Sequence, residues 1–119
     1  MGFVPVRDLS HARPFYEQTL GLTVVEETAV ALVLDANGTQ LRLTAVPDFR
    51  PQPFTIAGWE VADITSTVGS LLERGVVFRR YEGMDQDDLG VWTAPSGDRV
   101  AWFADPEDNT LSLTTFAGR

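Results

Sequence analysis

The chain contains no cysteine and only one histidine, His11. The absence of cysteine excludes disulfides, iron–sulfur clusters, thiolate zinc sites and cysteine nucleophiles, and a single histidine excludes a multi-histidine metal site within one chain. Basic residues are scarce: 9 stand against 17 acidic residues, which gives a net charge of −8. This charge argues against a nucleic-acid binder, because phosphate binding requires a basic surface.

Membrane and export signals are also missing. No stretch approaches the ~18 uninterrupted apolar residues of a membrane-spanning helix, and the opening sequence MGFVPVRDLS lacks the basic region and apolar run of a signal peptide. We therefore expect a cytoplasmic protein without a membrane partner. At 119 residues and 44% hydrophobic composition, the whole chain, 1–119, is expected to form a single domain with its own core.

The sequence contains an internal repeat. One short apolar stretch ends in Asp8 and another ends in Asp63, and each is followed by a predicted helix. Ser10 is the predicted N-cap of the first helix. The helices are predicted to end at Gly21 and Gly75, since glycine favours helix C-termini, and an apolar strand follows each glycine.

Each half of the repeat closes with a strand, a tight turn and a strand. Residues 30–43 contain the turn Asn37-Gly38, and residues 100–113 contain a turn that starts at Asp105-Pro106. Strand, helix and three strands therefore occur twice, as two βαβββ modules.

The two modules are predicted at about 1–46 and 54–119, within an α+β fold. A linker at about 45–53 joins them, and its three prolines mark the boundary. The second module is longer, and its extra residues form an acidic loop at 82–90. We interpret this loop as solvated surface; a lid over a cationic ligand is the alternative.

Two motifs resemble a known family. Asp8-Leu9, Phe15-Tyr16 and Leu20-Gly21-Leu22, followed by the closing motif at 105–109, are similar to the motifs of the vicinal oxygen chelate superfamily, also called the glyoxalase/bleomycin-resistance/dioxygenase superfamily. Asp108 stands where that family has glycine. The resemblance covers nearly the whole chain and implies a curved, cup-like mixed sheet around a cavity. It also implies a homodimer, with the cup formed within one chain or across two.

Metal-dependent members of that family hold the ion with His or Gln on the first strand and Glu on the last strand of each module. The corresponding positions here are Met1, Arg42, Ile56 and Ser112. None is a carboxylate or an imidazole, and an arginine cation repels a divalent ion at close range. The resemblance therefore implies the metal-free branch, without a cofactor, and argues against glyoxalase or dioxygenase activity.

Strand alternation divides the predicted sheet into an apolar face and a mixed face. Trp102 falls on the mixed face, where its counterpart in the first half is Leu32. A face with aromatic and a few polar side chains is expected to bind a small organic molecule, aromatic or cationic. The candidate ligand-binding residues are Arg42, Phe54, Ile56, Glu60, Trp92, Trp102 and Ser112. The residues expected to face the helices are Leu41, Leu43, Trp59, Val61, Leu111 and Leu113.

Three functions fit this pattern. The favoured one is metal-independent binding of a small molecule without turnover, as in antibiotic sequestration or a carrier protein. The alternative is a metal-independent lyase, isomerase or cyclase, with Glu60 as general acid/base and Arg42 as oxyanion stabiliser. In the third, Trp102 fills the cup and the face serves dimerisation or partner contact. His11 has no triad partner and is interpreted as structural.

Overall fold

The computed structural model of the chain describes residues 1–118, and its helices and strands follow a repeated order. The first module consists of β1 (Gly2–Val6), α1 (Leu9–Pro14) with a π-helical turn (Phe15–Thr19), β2 (Thr23–Glu27), β3 (Ala31–Ala36) and β4 (Thr39–Ala45). The second consists of β5 (Thr55–Glu60), α2 (Ile64–Glu73), β6 (Trp92–Thr93), β7 (Arg99–Ala104) and β8 (Thr110–Thr115).

Within residues 1–118 the strands form two four-stranded mixed sheets of the same plan, β1-β4-β3-β2 and β5-β8-β7-β6. In each sheet the first strand of the module pairs in parallel with the last, and the other neighbours are antiparallel. The predicted α+β fold of two repeated modules is confirmed. No helix in this part of the chain is long and apolar enough to cross a membrane.

The first helix is capped by Asp8, so the prediction of Ser10 as N-cap was wrong. The Asp8 Oδ1 accepts hydrogen bonds from the Ser10 backbone N–H at 2.9 Å and from the Ser10 hydroxyl at 2.6 Å. These bonds lower the pKa of the Asp8 carboxyl, the hydroxyl bond most. Both residues are good cap formers, and the extended backbone of Asp8 places the helix start two residues earlier.

Pro14 ends the α-helical part of this segment. Proline has no N–H to donate to the preceding turn, and the chain continues as a wider π-helical turn in which the Leu20 N–H bonds the Phe15 carbonyl at 2.8 Å. The Phe15 and Tyr16 rings follow in sequence and pack edge to face at 5.4 Å. Tyr16 is fully buried, so the turn brings a phenol into the core.

Helix α2 is amphipathic. Its buried side chains Ile64, Val68 and Leu71 follow the spacing of one helix face. Leu72, next to Leu71, is 40% exposed, because one residue turns the helix by about 100°. The helix is followed by Gly75 with φ 87°, a conformation that favours glycine.

The core lies between the helices and the apolar faces of both sheets, in one continuous cluster. On β4 and β8 the alternate residues Leu41, Leu43, Leu111 and Leu113 are fully buried, and Trp59 on β5 is 8% exposed. Burial of each such leucine stabilises the fold by roughly 1.5–3 kcal/mol. The apolar face predicted from strand alternation is confirmed at these positions.

Two asparagine side chains join the modules. The Asn109 Nδ2 donates to the Pro5 carbonyl at 3.0 Å, and the Asn37 Nδ2 donates to the Glu60 carbonyl at 2.8 Å. Pro5 and Glu60 are equivalent positions of the repeat, three residues before the capping aspartate of each module. The end of each first strand is therefore held by a turn of the other module.

The closing turn at 105–109 adds a buried network. The Asp105 carboxylate accepts from the Tyr16 hydroxyl at 2.6 Å and from the Glu107 and Asn109 backbone N–H groups at 2.9 and 2.8 Å. Burial, and then the charge of Asp105, raises the pKa of the Tyr16 phenol well above its ordinary value. Asp108 has φ 67°, the left-handed conformation that glycine adopts readily.

Glu107 connects this turn to the loop between β1 and α1. Its side chain is 3% exposed and accepts from the Arg7 and Asp8 backbone N–H groups at 2.9 and 3.2 Å. The Arg7 guanidinium lies 3.0 Å from the same carboxylate. The family-like closing motif therefore serves to join the modules.

The strand predicted after Gly75 is not a regular strand. An isolated bridge joins Phe78 to Phe103, and the Arg79 N–H donates to the Trp102 carbonyl at 2.8 Å. Residues 77–79 thus lie along one part of the β7 edge, and the two-residue strand β6 pairs with another part. The acidic loop connects these two segments.

Candidate functional site

The mixed face of the sheet β5-β8-β7-β6 carries four of the predicted site residues. Ser112 on β8 pairs in register with Gly58 on one side and with Trp102 on the other. Two positions along, Thr114 pairs with Glu60 and with Val100, and Val100 pairs with Trp92. Since alternate residues of a strand point to the same side, the predicted candidates Glu60, Trp92, Trp102 and Ser112 share one face.

Gly58 allows β5 and β8 to approach closely at the centre of this face. A Cβ atom added at Gly58 would lie 2.9 Å from the Ser112 carbonyl oxygen and would collide with the Ser112 Oγ. The serine hydroxyl occupies the space that a side chain at 58 would need. The centre of the face therefore presents a small polar group beside the indole of Trp102.

Three aromatic rings form a cluster on this face. The Trp92 and Trp102 ring centroids are 6.2 Å apart with a 37° angle between the planes. Tyr81 packs edge to face against Trp102 at 5.4 Å, with a plane angle of 87°. All three rings are partly exposed, so each offers surface to a ligand as well as to its neighbours. We call Tyr81, Trp92 and Trp102 the aromatic cluster.

Tyr81 was not among the predicted site residues. Its segment was interpreted as a regular strand, which gave no reason to place its ring beside Trp102. The residue lies instead where the chain leaves the β7 edge and enters the acidic loop. Strand periodicity carries no signal for a ring presented by a loop.

Two clefts open onto the same side of the sheet. One, of about 360 Å³, is lined by Glu60, Ser112 and Thr114 together with Gly58, Trp59, Thr39 and Phe116. The other, of about 300 Å³, contains Tyr81, Arg79 and Thr110, beside Asp108 and the linker residues Pro51, Gln52 and Pro53. Thr110, Ser112 and Thr114 follow one another along one face of β8, and the second cleft lies at Thr110 while the first lies at Ser112 and Thr114.

Arg79 supplies the cation of the second cleft. Its Nε donates to the Thr110 hydroxyl at 2.9 Å, and its Nη2 donates to the Asp108 carboxylate at 2.8 Å. These contacts fix the guanidinium while 29% of the side chain stays exposed. Sequence reasoning assigned the cation of the site to Arg42 and missed Arg79, whose neighbours come from a distant turn.

The acidic loop is tied down along its length. The Gln86 side-chain oxygen accepts from the Tyr81 N–H at 2.8 Å, and its amide nitrogen donates to the Arg79 and Gly90 carbonyls at 3.1 and 2.8 Å. The Asp87 carboxylate accepts from the Val91 N–H at 3.0 Å. The loop is therefore a folded spacer beside the aromatic cluster, in contrast to a free flap.

The other three predicted site residues lie apart from this face. Arg42 is on β4 of the first sheet, in register with Phe3 and Val33. Phe54 precedes β5 and is 60% exposed. Ile56 is the extra residue of a β-bulge, since Thr55 and Ala57 pair with consecutive residues of β8, and it packs against the core. One inserted residue shifts the side-chain alternation, and the sequence pattern does not reveal it.

The positions that would hold a metal ion do not fit one. Met1, Arg42, Ile56 and Ser112 supply a thioether, a guanidinium, an alkyl group and a hydroxyl, whereas divalent cations require carboxylate, imidazole or thiolate ligands. Within residues 1–118 no group of three His, Asp or Glu side chains lies close enough to hold an ion.

A third cleft, of about 690 Å³, lies elsewhere, between the start of α1 and the β2–β3 connection. Its two arginines are ion-paired: Arg13 pairs with Glu17 and Glu27 at 3.1 and 2.8 Å, and Arg7 pairs with Glu107. Hydrogen bonds to Glu17, and then to Glu27, raise the pKa of Arg13. Among residues 1–118, the side chains that line this cleft include no aromatic ring on which a flat ligand could stack, in contrast to the aromatic cluster.

Comparison with known proteins agrees with this architecture. Residues 3–113 match the family model of the Glyoxalase/Bleomycin resistance protein/Dioxygenase superfamily. The crystal structure of a bleomycin resistance determinant encoded on the transposon Tn5 is 20% identical, with a TM-score of 0.77 and coverage of 98% of this chain and 95% of that chain. No curated protein matches the chain at a significant level.

Two further solved structures share the fold. A member of the same superfamily from Sphaerobacter thermophilus DSM 20745 is 24% identical, with a TM-score of 0.70 and coverage of 95% of this chain and 92% of that chain. A lactoylglutathione lyase from Agrobacterium tumefaciens is 13% identical, with a TM-score of 0.71 and coverage of 95% and 89%. At these identities the likeness concerns the fold, and a shared fold does not specify a reaction.

Proposed function

The chain belongs to the Glyoxalase/Bleomycin resistance protein/Dioxygenase superfamily, and we propose that it binds a small, flat organic molecule without a metal ion and without turnover. The binding surface is the mixed face of the second sheet, centred on Trp102 and Ser112. The protein acts by stoichiometric sequestration or transport in the cytoplasm.

The aromatic cluster is the observation that carries this proposal. Trp92 and Trp102 lie 6.2 Å apart, both partly exposed, on a face that also carries the hydroxyl residues Ser112 and Thr114. Ligand sites combine apolar and aromatic surface with a few fixed polar groups, and here Ser112, Arg79 and Glu60 supply them. A planar ring system with polar groups at its edge matches this surface best, because its faces stack on indole.

The donor chemistry supports binding without a metal. The positions equivalent to metal ligands carry no carboxylate or imidazole, and Arg42 brings a positive charge. Arg42 also lies outside the cleft that contains Glu60, so an enzyme that needs both groups on one substrate has less support. We therefore favour sequestration over acid–base catalysis by Glu60.

We further propose that the chain forms a homodimer. Members of the superfamily commonly pair, and the first sheet leaves Phe3 62% exposed and Met1 63% exposed. Apolar side chains of this size, exposed at the start of β1, gain free energy when a second copy covers them. The number of subunits and the number of ligands bound per subunit together test whether the second copy also lines the aromatic face.

Native mass spectrometry of the freshly purified protein tests the proposal. We expect a dimer without bound metal that carries an organic molecule, which is released chemically unchanged. Metal-free bleomycin, titrated by calorimetry, is the first probe, since a structural relative is named for resistance to it. Release of a chemically altered molecule would contradict binding without turnover.

Two variants localise the binding. Trp102→Ala should weaken binding of the co-purified molecule or of bleomycin about tenfold or more, as expected for the loss of one stacking indole. Leu72→Ala, on the outer side of α2, is the matched control and should leave the affinity unchanged. Equal affinity in Trp102→Ala and the wild type would exclude this face as the binding site.

A further inference from the structure

The edge of β7 holds the two outer rings of the aromatic cluster. Residues 77–79 run along it beside Trp102 and Phe103, and Tyr81 follows directly. Further along the same edge, Trp92 pairs with Val100. The chain between these segments crosses from one to the other through the acidic loop. The acidic loop therefore joins the segment that presents Tyr81 to the strand that presents Trp92.

Gln86 connects both segments through a single amide group. Its oxygen accepts from the Tyr81 N–H at 2.8 Å, and its nitrogen donates to the Arg79 carbonyl at 3.1 Å and to the Gly90 carbonyl at 2.8 Å. The Gln86 backbone also forms an isolated bridge with Trp92. One side chain thus bonds the strand-like segment before the loop and the residue that leads into β6.

We propose that Gln86 is a positioning residue that sets the separation of Tyr81 and Trp92 on either side of Trp102. The acidic loop then works as a spacer of fixed shape that preorganises the aromatic cluster. Preorganised rings bind a ligand without the entropy cost of ordering them. The consequence for ligand affinity rests on the proposed function, whereas the effect on ring geometry does not.

The groups around residue 86 require the side-chain amide of glutamine. Two carbonyls and one N–H converge on the Gln86 side chain, so the site requires two donor hydrogens and one acceptor. Leucine has a similar volume and supplies neither. Glutamate keeps the acceptor for Tyr81, but its carboxylate turns a second oxygen toward the Arg79 and Gly90 carbonyls, and this contact is repulsive at neutral pH.

Gln86→Leu provides the first test. We expect the near-ultraviolet circular dichroism of the tryptophans to lose half its amplitude or more, with the far-ultraviolet spectrum unchanged. Affinity for 2-naphthoate, a flat aromatic probe measured by calorimetry, should fall about tenfold. Thr28→Val is the matched control, because it removes side-chain bonds to the Val30 and Ala31 N–H groups in a distant turn. It should change neither the near-ultraviolet signal nor the affinity.

Gln86→Glu provides a conservative rescue that is independent of the leucine variant. The two facing carbonyls raise the pKa of the introduced carboxyl, and protonation restores one of the missing donors. The near-ultraviolet signal of Gln86→Glu should be low at about pH 7 and should recover on acidification to about pH 5. The wild-type signal should stay constant over the same range.

The outcomes separate the two proposals. A Gln86→Leu protein with the wild-type signal and affinity would overturn the positioning role, and so would a Gln86→Glu signal that does not change with pH. If Gln86→Leu does not fold, the recovery of Gln86→Glu decides alone. A wild-type protein that binds neither 2-naphthoate nor bleomycin, with the predicted spectral changes in the variants, would contradict the proposed function and support Gln86 as a positioning residue.

Discussion

The turns that close the two modules each hold the first strand of the other module, but they are stabilised by different interactions. In the first, Asn37-Gly38 is a two-residue hairpin turn with φ values of 51° and 94°, and the Asn37 amide holds the end of β5. In the second, Asn109 holds the end of β1, but the turn is longer and carries the buried Asp105 and Glu107. The first turn depends on backbone conformation, and the second depends on a hydrogen-bond network.

The hydrogen-bond network of the second turn explains why the closing motif contains buried acidic residues. Asp105 and Glu107 are 5% and 3% exposed, and their carboxylates accept from backbone N–H groups on both sides of the module junction. Buried carboxylates persist only when their oxygens are bonded. The motif that resembles a family signature therefore joins the two modules of this chain, and its Asp108 also bonds Arg79 in the second cleft.

Asp105→Ala should produce the largest effect. Several donors lose their acceptor, including the buried Tyr16 hydroxyl at 2.6 Å, and each unsatisfied buried donor costs about 1–3 kcal/mol. We expect the free energy of unfolding to fall by at least about 3 kcal/mol. Asp35→Ala, near the first turn, loses a 3.4 Å contact with the Gly38 N–H. Equal losses in urea denaturation would contradict the comparison.

Glu107→Gln should have the next largest effect. The amide keeps one oxygen but turns an NH2 group toward the Arg7 or Asp8 N–H, which both donate to the carboxylate in the native protein. The lost charge-assisted bonds predict a decrease of about 2 kcal/mol in the free energy of unfolding. Chemical denaturation checks this value, and a variant as stable as the wild type would show that the contact with Arg7 contributes nothing.

Tyr16→Phe should cost about 1.5–3 kcal/mol near neutral pH, since the phenol donates to a charged acceptor. The raised pKa of Tyr16 also predicts a pH dependence. The unfolded chain releases this proton near pH 10, whereas the folded protein retains it, so the stabilising effect is complete below that pH and is lost as the pH rises above it.

Denaturation curves measured from neutral to alkaline pH test this dependence. The wild type should lose stability faster than Tyr16→Phe once the pH exceeds about 10. Parallel curves for the two proteins would mean that the Tyr16 phenol titrates alike in the folded and unfolded chains, and would contradict its burial against Asp105.

Asn37→Gly should have the smallest effect. Glycine accepts the positive φ without strain, and the exposed bond to the Glu60 carbonyl is the interaction lost. We expect a decrease of about 0.5–1 kcal/mol in the free energy of unfolding. A loss as large as that of Glu107→Gln would show that the first turn also depends on a side-chain network.

Several features of the fold follow from the sequence because they depend on local periodicity. Alternation along β4 and β8 predicts the buried leucines, and Asn37-Gly38 predicts its hairpin. Pairing between strands cannot be predicted from local periodicity. The register partner of Ser112 is Trp102, and the equivalent partner of Arg42 is Val33, where Leu32 was expected. The turn between β3 and β4 is shorter than the turn between β7 and β8. A comparison that aligns the two halves residue by residue therefore assigns the wrong partner to Arg42.

In the candidate site, too, some residues follow from local periodicity and others depend on longer-range contacts. Glu60, Trp102 and Ser112 lie on regular strands, where alternation assigns the face. Tyr81 and Gln86 act through side-chain and backbone contacts across a loop, and no periodic signal precedes them in the sequence. Sequence reasoning therefore predicts that Glu60, Trp102 and Ser112 share a face, but it gives no signal for the loop residues beside that face.

The close approach at Gly58 restricts how this protein can diverge. A side chain at 58 is blocked by the Ser112 carbonyl as well as by its hydroxyl, so replacing Ser112 by glycine would not make room. Descendants of this sequence can reshape the centre of the mixed face only through positions 102 and 112. Variation recovered by selection for new ligands should therefore accumulate on β7 and β8, while β5 retains its glycine.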